Sequence, residues 1–169
     1  LAIQGPQVMQ GYWNNPDAAA IAFATREDGR WLRTGDIAEI DAAGYVRIVD
    51  RSKDMIAVGG FKVFPSSVEA VLYTNPAVKE ALVIGIPDTY SGERPKAFVT
   101  LNDGADTDGA ALLDWLNPRL GKHERVVAVE VRESLPKTLV GKLSRKELVA
   151  EERARSEGGA ALQTIPNPR

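Results

Sequence analysis

Asp50-Arg51-Ser52-Lys53-Asp54-Met55-Ile56-Ala57-Val58-Gly59-Gly60-Phe61-Lys62-Val63-Phe64-Pro65-Ser66-Ser67-Val68-Glu69 is the stretch on which the reading of the fold turns. Four of its first five residues carry charge, so Asp50–Asp54 cannot sit in a core and reads as a joint between two parts of the chain. Met55–Val58 and Phe61–Phe64 are short strand candidates on either side of a diglycine turn. Ser66 and Glu69 have the spacing of a capping box, with Ser66 at N-cap and Glu69 at N3. The helix they open carries Val68, Val71 and Leu72 on one face and stops at Asn75-Pro76.

Outward from this stretch, strand and helix continue to alternate. Val78–Ile86 and Ala97–Leu101 are β-rich, and Thr107 opens a helix with Leu112, Leu113, Leu116 and Leu120 at helical spacing, ended or kinked by Pro118. Val126–Val131 reads as a further strand, and Ser144 with Glu147 as a second capping box before a charged helix that runs to about Arg155. Upstream, turn dipeptides (Asp28-Gly29, Ala43-Gly44) separate strands such as Arg30-Trp31-Leu32 and Val46–Val49, with a short helical stretch over Pro16–Phe23. The expected fold class is α+β: a small domain over residues 51–155, its β-sheet flanked by helices, preceded by a β-rich segment over residues 1–50 and followed by a flexible tail over 156–169.

The composition excludes several functions. The chain has 169 residues, 21 Lys+Arg against 23 Asp+Glu, and a net charge of -2, so no basic coat for nucleic acid is present. It has no Cys and one histidine, His123, which removes disulfides, thiolate zinc sites and His-paired metal sites. The longest apolar run, Ala81–Ile86, is too short to cross a bilayer, and no basic-then-apolar leader is visible. A cytoplasmic protein, or one peripheral to the membrane, is expected. The start without Met suggests a piece of a longer chain.

No G-x-G-x-x-G is present, and Gly141-Lys142 lacks the first glycine and the Ser/Thr of a P-loop, since Pro136 and Leu143 occupy those places. Three other segments have chemical potential. In Trp31-Leu32-Arg33-Thr34-Gly35-Asp36, the Asp36 carboxylate could accept from both hydroxyls of a vicinal diol; an ordinary turn is the alternative. Gly59-Gly60 could let a ligand approach the bare backbone, or serve only as a hairpin turn. Leu135-Pro136-Lys137-Thr138-Leu139-Val140-Gly141-Lys142 could deliver Lys142 to an anionic transition state, or leave it a solvated loop lysine.

Taken together, Gly11-Tyr12-Trp13-x-x-Pro16, Thr34-Gly35-Asp36-Ile37-Ala38, Asp50-Arg51-x-Lys53-Asp54-Met55-Ile56 and Leu135-Pro136-Lys137-x-x-x-Gly141-Lys142 closely resemble the C-terminal part of the adenylate-forming superfamily. That superfamily includes acyl-CoA synthetases, nonribosomal peptide adenylation domains and luciferases. The motifs look most like those of a fatty acyl-CoA ligase, and the resemblance runs from Gly11 to about Glu152. It implies an acid–thiol ligase that activates a carboxylate, a fatty acid by this likeness, with ATP and passes the acyl group to coenzyme A. Aryl, short-chain or amino acid substrates, or a non-catalytic nucleotide- or CoA-binding module, are the alternatives.

The resemblance gives Asp36 to the ribose hydroxyls of ATP or AMP, Arg51 to the ribose or phosphate region, and Lys53 to a hinge. It gives Lys142 to the carboxylate and α-phosphate oxygens during adenylation, and Gly59 and Gly60 to the path of the CoA thiol arm. Some relatives carry lysine or serine at the place of Gly59, so no side-chain role carries over there. Residues 1–50 would be the end of a large N-terminal domain that supplies the phosphate loop, the Mg2+ ligands and the acyl pocket. Without that domain, the chain is expected to be inactive, and orphaned strand edges in residues 1–50 would invite a dimer or domain swap.

Overall fold

The computed structural model describes residues 1–161, with side chains as far as Ser156. The chain divides into two compact units, Leu1–Lys53 and Asp54 onward. In the first, β1 (Ala2–Ile3), α1 (Pro16–Ala22), β2 (Phe23–Arg26) and β3 (Gly29–Arg33) form a three-stranded antiparallel sheet with one short helix. Asn15 caps α1 by accepting from the Ala18 N–H, and Pro16 fills a first-turn position where a missing N–H costs nothing. β4 (Asp36–Ile40) and β5 (Val46–Arg51) pair as a separate antiparallel ribbon, and a 3-10 turn, Ser52–Asp54, follows.

The second unit is an α+β domain, as the sequence predicts. The hairpin of β6 (Ile56–Val58) and β7 (Phe61–Val63) leads into α2 (Pro65–Leu72). β8 (Val78–Asp88) and β9 (Gly92–Leu101) form the longest hairpin, and α3 (Gly109–Leu116), β10 (Val129–Val131) and α4 (Arg145–Ala161) follow. β9 is the hub. It is antiparallel to β8 along its length, parallel to β10 over Ala97–Val99, and paired with β6 where Val58 faces Gly92.

Side chains alternate across the sheet, so its two faces build two cores. Ala81, Val83, Ala97 and Val99 pack with Ile56, Val63, Val68, Leu72, Leu112 and Leu116 on one face. Leu82, Ile84 and Phe98 pack with Leu135 and Leu148 on the other, with Leu143 against them. α2 and α3 therefore cover one face, while α4 and the chain before it cover the opposite one.

Four local expectations are corrected. α2 begins at Pro65, whose fixed φ suits the first turn, with Phe64 at its N-cap and no side-chain cap, since phenylalanine carries no acceptor; Ser66 is already inside the helix. Asp108, not Thr107, caps α3 by accepting from the Ala111 N–H at 2.8 Å. β10 is shorter than Val126–Val131, since the Asn117 side-chain amide takes both the N–H and the carbonyl of Val126. α4 continues past Arg155 to Ala161, because no proline occurs before Pro166 to stop it. The part of the expected tail from residue 162 on lies outside the described residues.

The β8 edge that faces away from β9 would leave backbone groups unsatisfied. Glu69 of α2 and Tyr73 just past its end, four residues apart and so on one face, fill that need. The Tyr73 hydroxyl accepts from the Ala81 N–H at 3.1 Å, and a Glu69 oxygen accepts from the Val83 N–H at 2.8 Å. The Val83 carbonyl accepts from Arg145 Nε at 3.1 Å. Glu69 is thus not a helix cap; it and Arg145 stand in for a missing neighbouring strand.

Candidate active site

In the first unit, the β4–β5 register sets Asp36 opposite Arg51, and Arg51 Nε lies 3.0 Å from Asp36 Oδ1. Gly35, at φ +78, turns the chain into β4, and its carbonyl accepts from the Ser52 N–H at 2.8 Å. Asp36 is fixed further by its own N–H, which donates to Thr34 Oγ1 at 3.1 Å. Asp36 and Arg51 are therefore brought together. Lys53 follows in the 3-10 turn at the end of this unit, where no side chain is buried.

In the second unit, Gly59 and Gly60 are the two central residues of the β6–β7 turn, at φ +56 and +84. Two consecutive positive φ values are what a two-residue hairpin of this hand requires, and glycine adopts them without strain. No atom lies within 4 Å of where a Cβ would stand on either residue, so the turn presents bare backbone to open space. Its base is anchored to the β8–β9 turn. The Gly59 N–H donates to the Ser91 carbonyl at 2.8 Å, and the Ala57 N–H to Glu93 Oε2 at 2.8 Å. Asp88 organises that turn by accepting from the Ser91 N–H and hydroxyl, and these bonds, the backbone one foremost, lower its pKa. Beside the diglycine, the Phe61 ring stacks on His123 at 3.6 Å.

Lys142 stands on a small hairpin closed by a bridge between Lys137 and Leu143. The Thr138 N–H donates to the Lys142 carbonyl at 2.7 Å, the Gly141 N–H to the Thr138 carbonyl at 2.8 Å, and the Ser144 N–H to the Pro136 carbonyl at 2.8 Å. Gly141, at φ +78, makes the tight return possible. The two lysines of this hairpin differ. Lys137 Nζ is paired with Glu80 at 2.6 Å, whereas Lys142 is exposed and makes no ion pair among the described residues. The arrangement offers a mobile cation on a tethered base.

Lys142 and the diglycine thus share one unit but are held by different parts of it. The hairpin of Lys142 rests on β8 and the second core through Leu135 and Leu143, and the diglycine rests on the β8–β9 turn. The motifs did not single out Arg145, Glu93 or His123 as parts of these loops, although Glu69 and Tyr73, spaced for one helix face, were a visible signal of an edge to be filled.

Residues 67–142 match the family described as AMP-binding enzyme C-terminal domain. Over these residues the chain is similar to the C-terminal domain of AMP-binding enzymes. It is 45% identical over 152 residues to a long-chain-fatty-acid–CoA ligase of Bacillus subtilis (strain 168), covering 90% of this chain and 26% of that protein. It is 43% identical over 148 residues to a feruloyl-CoA synthase of Amycolatopsis sp, covering 88% of this chain and 29% of that protein. Among solved structures, ATP-bound MatB from Rhodopseudomonas palustris superposes with a TM-score of 0.79 at 35% identity, over 88% of this chain and 29% of that one. The chain therefore spans less than a third of the length of these relatives.

Proposed function

We propose that the chain is the C-terminal part of an AMP-forming acyl-CoA ligase acting on a fatty acid. In the first half-reaction, a carboxylate oxygen attacks the α-phosphorus of ATP, the α–β anhydride breaks, and pyrophosphate leaves. In the second, the CoA sulfur attacks the acyl carbon, AMP leaves with the bonding electrons, and the thiol proton passes to solvent. The observation that carries this reading is Lys142: an exposed cation with no ion pair among the described residues, on a hairpin whose base is fixed. Such a group offsets negative charge that builds at phosphorus without first having to leave a carboxylate partner.

Asp36 would accept from the ribose hydroxyls through the oxygen that Arg51 leaves free, and Arg51 would hold that carboxylate in place while facing the nucleotide. Gly59 and Gly60 would line the thiol arm, where the open space around them admits a narrow chain. Lys53, at the joint, would be the pivot by which one loop replaces the other. By the same likeness, the magnesium that accompanies ATP would be held by an upstream domain of the same polypeptide. No helix of the described residues is long and apolar enough to cross a membrane.

The 43% identity to a feruloyl-CoA synthase keeps an aromatic acid as the second reading, separable by a substrate panel on the complete enzyme. The test of the function itself is Lys142→Ala in that enzyme. Pyrophosphate-releasing adenylation is expected to fall about 100- to 1,000-fold. Thioester formation from supplied acyl-adenylate is expected to stay within about threefold. Equal loss of both steps would contradict the assignment.

A further inference from the structure

We propose that Arg145 is a positioning residue for Lys142, acting through the base of its hairpin; the proposal rests on the reading of Lys142 given above. Arg145 is the first residue of α4 and lies immediately after Ser144, whose N–H closes the hairpin onto Pro136. Its guanidinium makes three kinds of contact at once. Nη2 donates to both Glu69 oxygens at 2.6 and 2.7 Å, Nε donates to the Val83 carbonyl at 3.1 Å, and Nη1 lies 3.5 Å from Asp54 Oδ2. A planar fork with five donors can do this; an ammonium cannot.

The placement of these partners gives the contact its consequence. Glu69 belongs to α2, Val83 to the unpaired edge of β8, and Asp54 is the residue after Lys53. One strand of the hairpin is therefore tied to β8 by Lys137–Glu80, and the chain leaving the other strand is tied to β8 and α2 by Arg145. Two attachments on opposite strands fix the plane of a hairpin, whereas one leaves it free to tilt. The diglycine turn does not depend on Arg145, because it has its own anchors at Ser91 and Glu93. Loss of Arg145 should thus be felt at Lys142 and not at the thiol path.

The clamp also has little slack. The side chains of Arg145 and Glu69 are only 24% and 13% exposed, so water competes poorly for their hydrogen bonds. Leu148, with Val149 beside it, keeps α4 docked on the second core when the guanidinium is gone, so the expected result is a displaced hairpin on a folded domain.

The experiment uses the complete enzyme and four variants: Arg145→Gln, Glu69→Gln, Lys142→Ala, and Arg145→Gln combined with Lys142→Ala. Arg145→Gln should lower the adenylation kcat by about 10- to 100-fold, as a misplacement on the order of 1 Å does. The KM for ATP and the thioester step should stay within about threefold. In the Lys142→Ala background the same substitution should change adenylation by less than about threefold, because a residue that acts through another has nothing to position once that other is absent. Amide hydrogen exchange at Gly141 and Lys142 should speed up in Arg145→Gln. An equal loss in both backgrounds, or no loss in either, would overturn the proposal. Should Arg145→Gln fail to unfold cooperatively, Glu69→Gln carries the same comparison with the Val83 N–H still accepted by the amide oxygen. Lys142→Ala with parental adenylation would instead overturn the reading of Lys142 itself, whatever Arg145 does.

Discussion

At Gly60 the backbone stands at φ +84, a value that a side chain with a Cβ reaches only with strain of about 1–2 kcal/mol, and a β-branched one worst of all. Gly60→Val in the complete enzyme is therefore expected to distort the turn and narrow the space in front of it. Thioester formation should drop by about tenfold or more while adenylation stays within about threefold, read by separate assays of the two half-reactions. The diglycine turn and the loop that carries Lys142 were legible in the sequence because each need is local: a turn demands glycine, and Pro136 and Gly141 bracket the loop. Arg145 was not. Its partner Glu69 lies 76 residues away, and the local pattern gave that glutamate a sufficient role as a helix cap, which the structure withdraws.

Among the elements, α4 shows how charge holds a helix that has little apolar surface. Leu148 buries itself in the second core, and a chain of ion pairs does the rest. Lys96 on β9 lies 2.8 Å from both Glu130 on β10 and Glu152 on α4, and Arg155 reaches the same two carboxylates. Arg132 joins Glu130 to Glu151. Burial by itself would raise the Glu130 pKa, but hydrogen bonds from Lys96, Arg155 and Arg132 outweigh it and lower the value from 4.5 to about 2. A carboxylate more acidic in the folded state stabilises the fold fully above its unfolded pKa and loses that contribution as pH falls through the folded one. The second unit should therefore lose stability between about pH 4.5 and pH 2, and Glu130→Gln should flatten that part of the profile. At pH 7 the same substitution is expected to cost about 2–3 kcal/mol, because it leaves Lys96 without one of its two carboxylates, as urea denaturation would show. An unchanged acid profile would mean that the network does not hold α4.

The strands and helices themselves were largely legible. β-Rich runs at Val78–Ile86 and Ala97–Leu101 gave most of β8 and the second half of β9, leucine spacing gave α3, and Pro118 marked its end, where a 3-10 turn follows at Asn117–Arg119. Their ends were less so where a distant group intervened. The Asn117 amide cuts β10 short by taking the backbone of Val126, and no periodicity records such a side chain.

For the whole molecule, what matters is that two loops with separate anchors are carried on one unit that begins right after Lys53. The proposed function gives these loops to different half-reactions, which makes alternation at the joint its central proposal. The joint is a single 3-10 turn, Ser52–Asp54, of a geometry with φ near the value that a proline ring imposes. Lys53→Pro should accordingly hold the backbone near one of its conformations and resist the rotation to any other. Rapid-quench single-turnover measurement of both half-reactions in that variant of the complete enzyme tests the claim most directly. One half-reaction should stay within about threefold of the parent while the other falls by about 100-fold or more. Parental rates in both would show that no rotation at this turn separates the two steps.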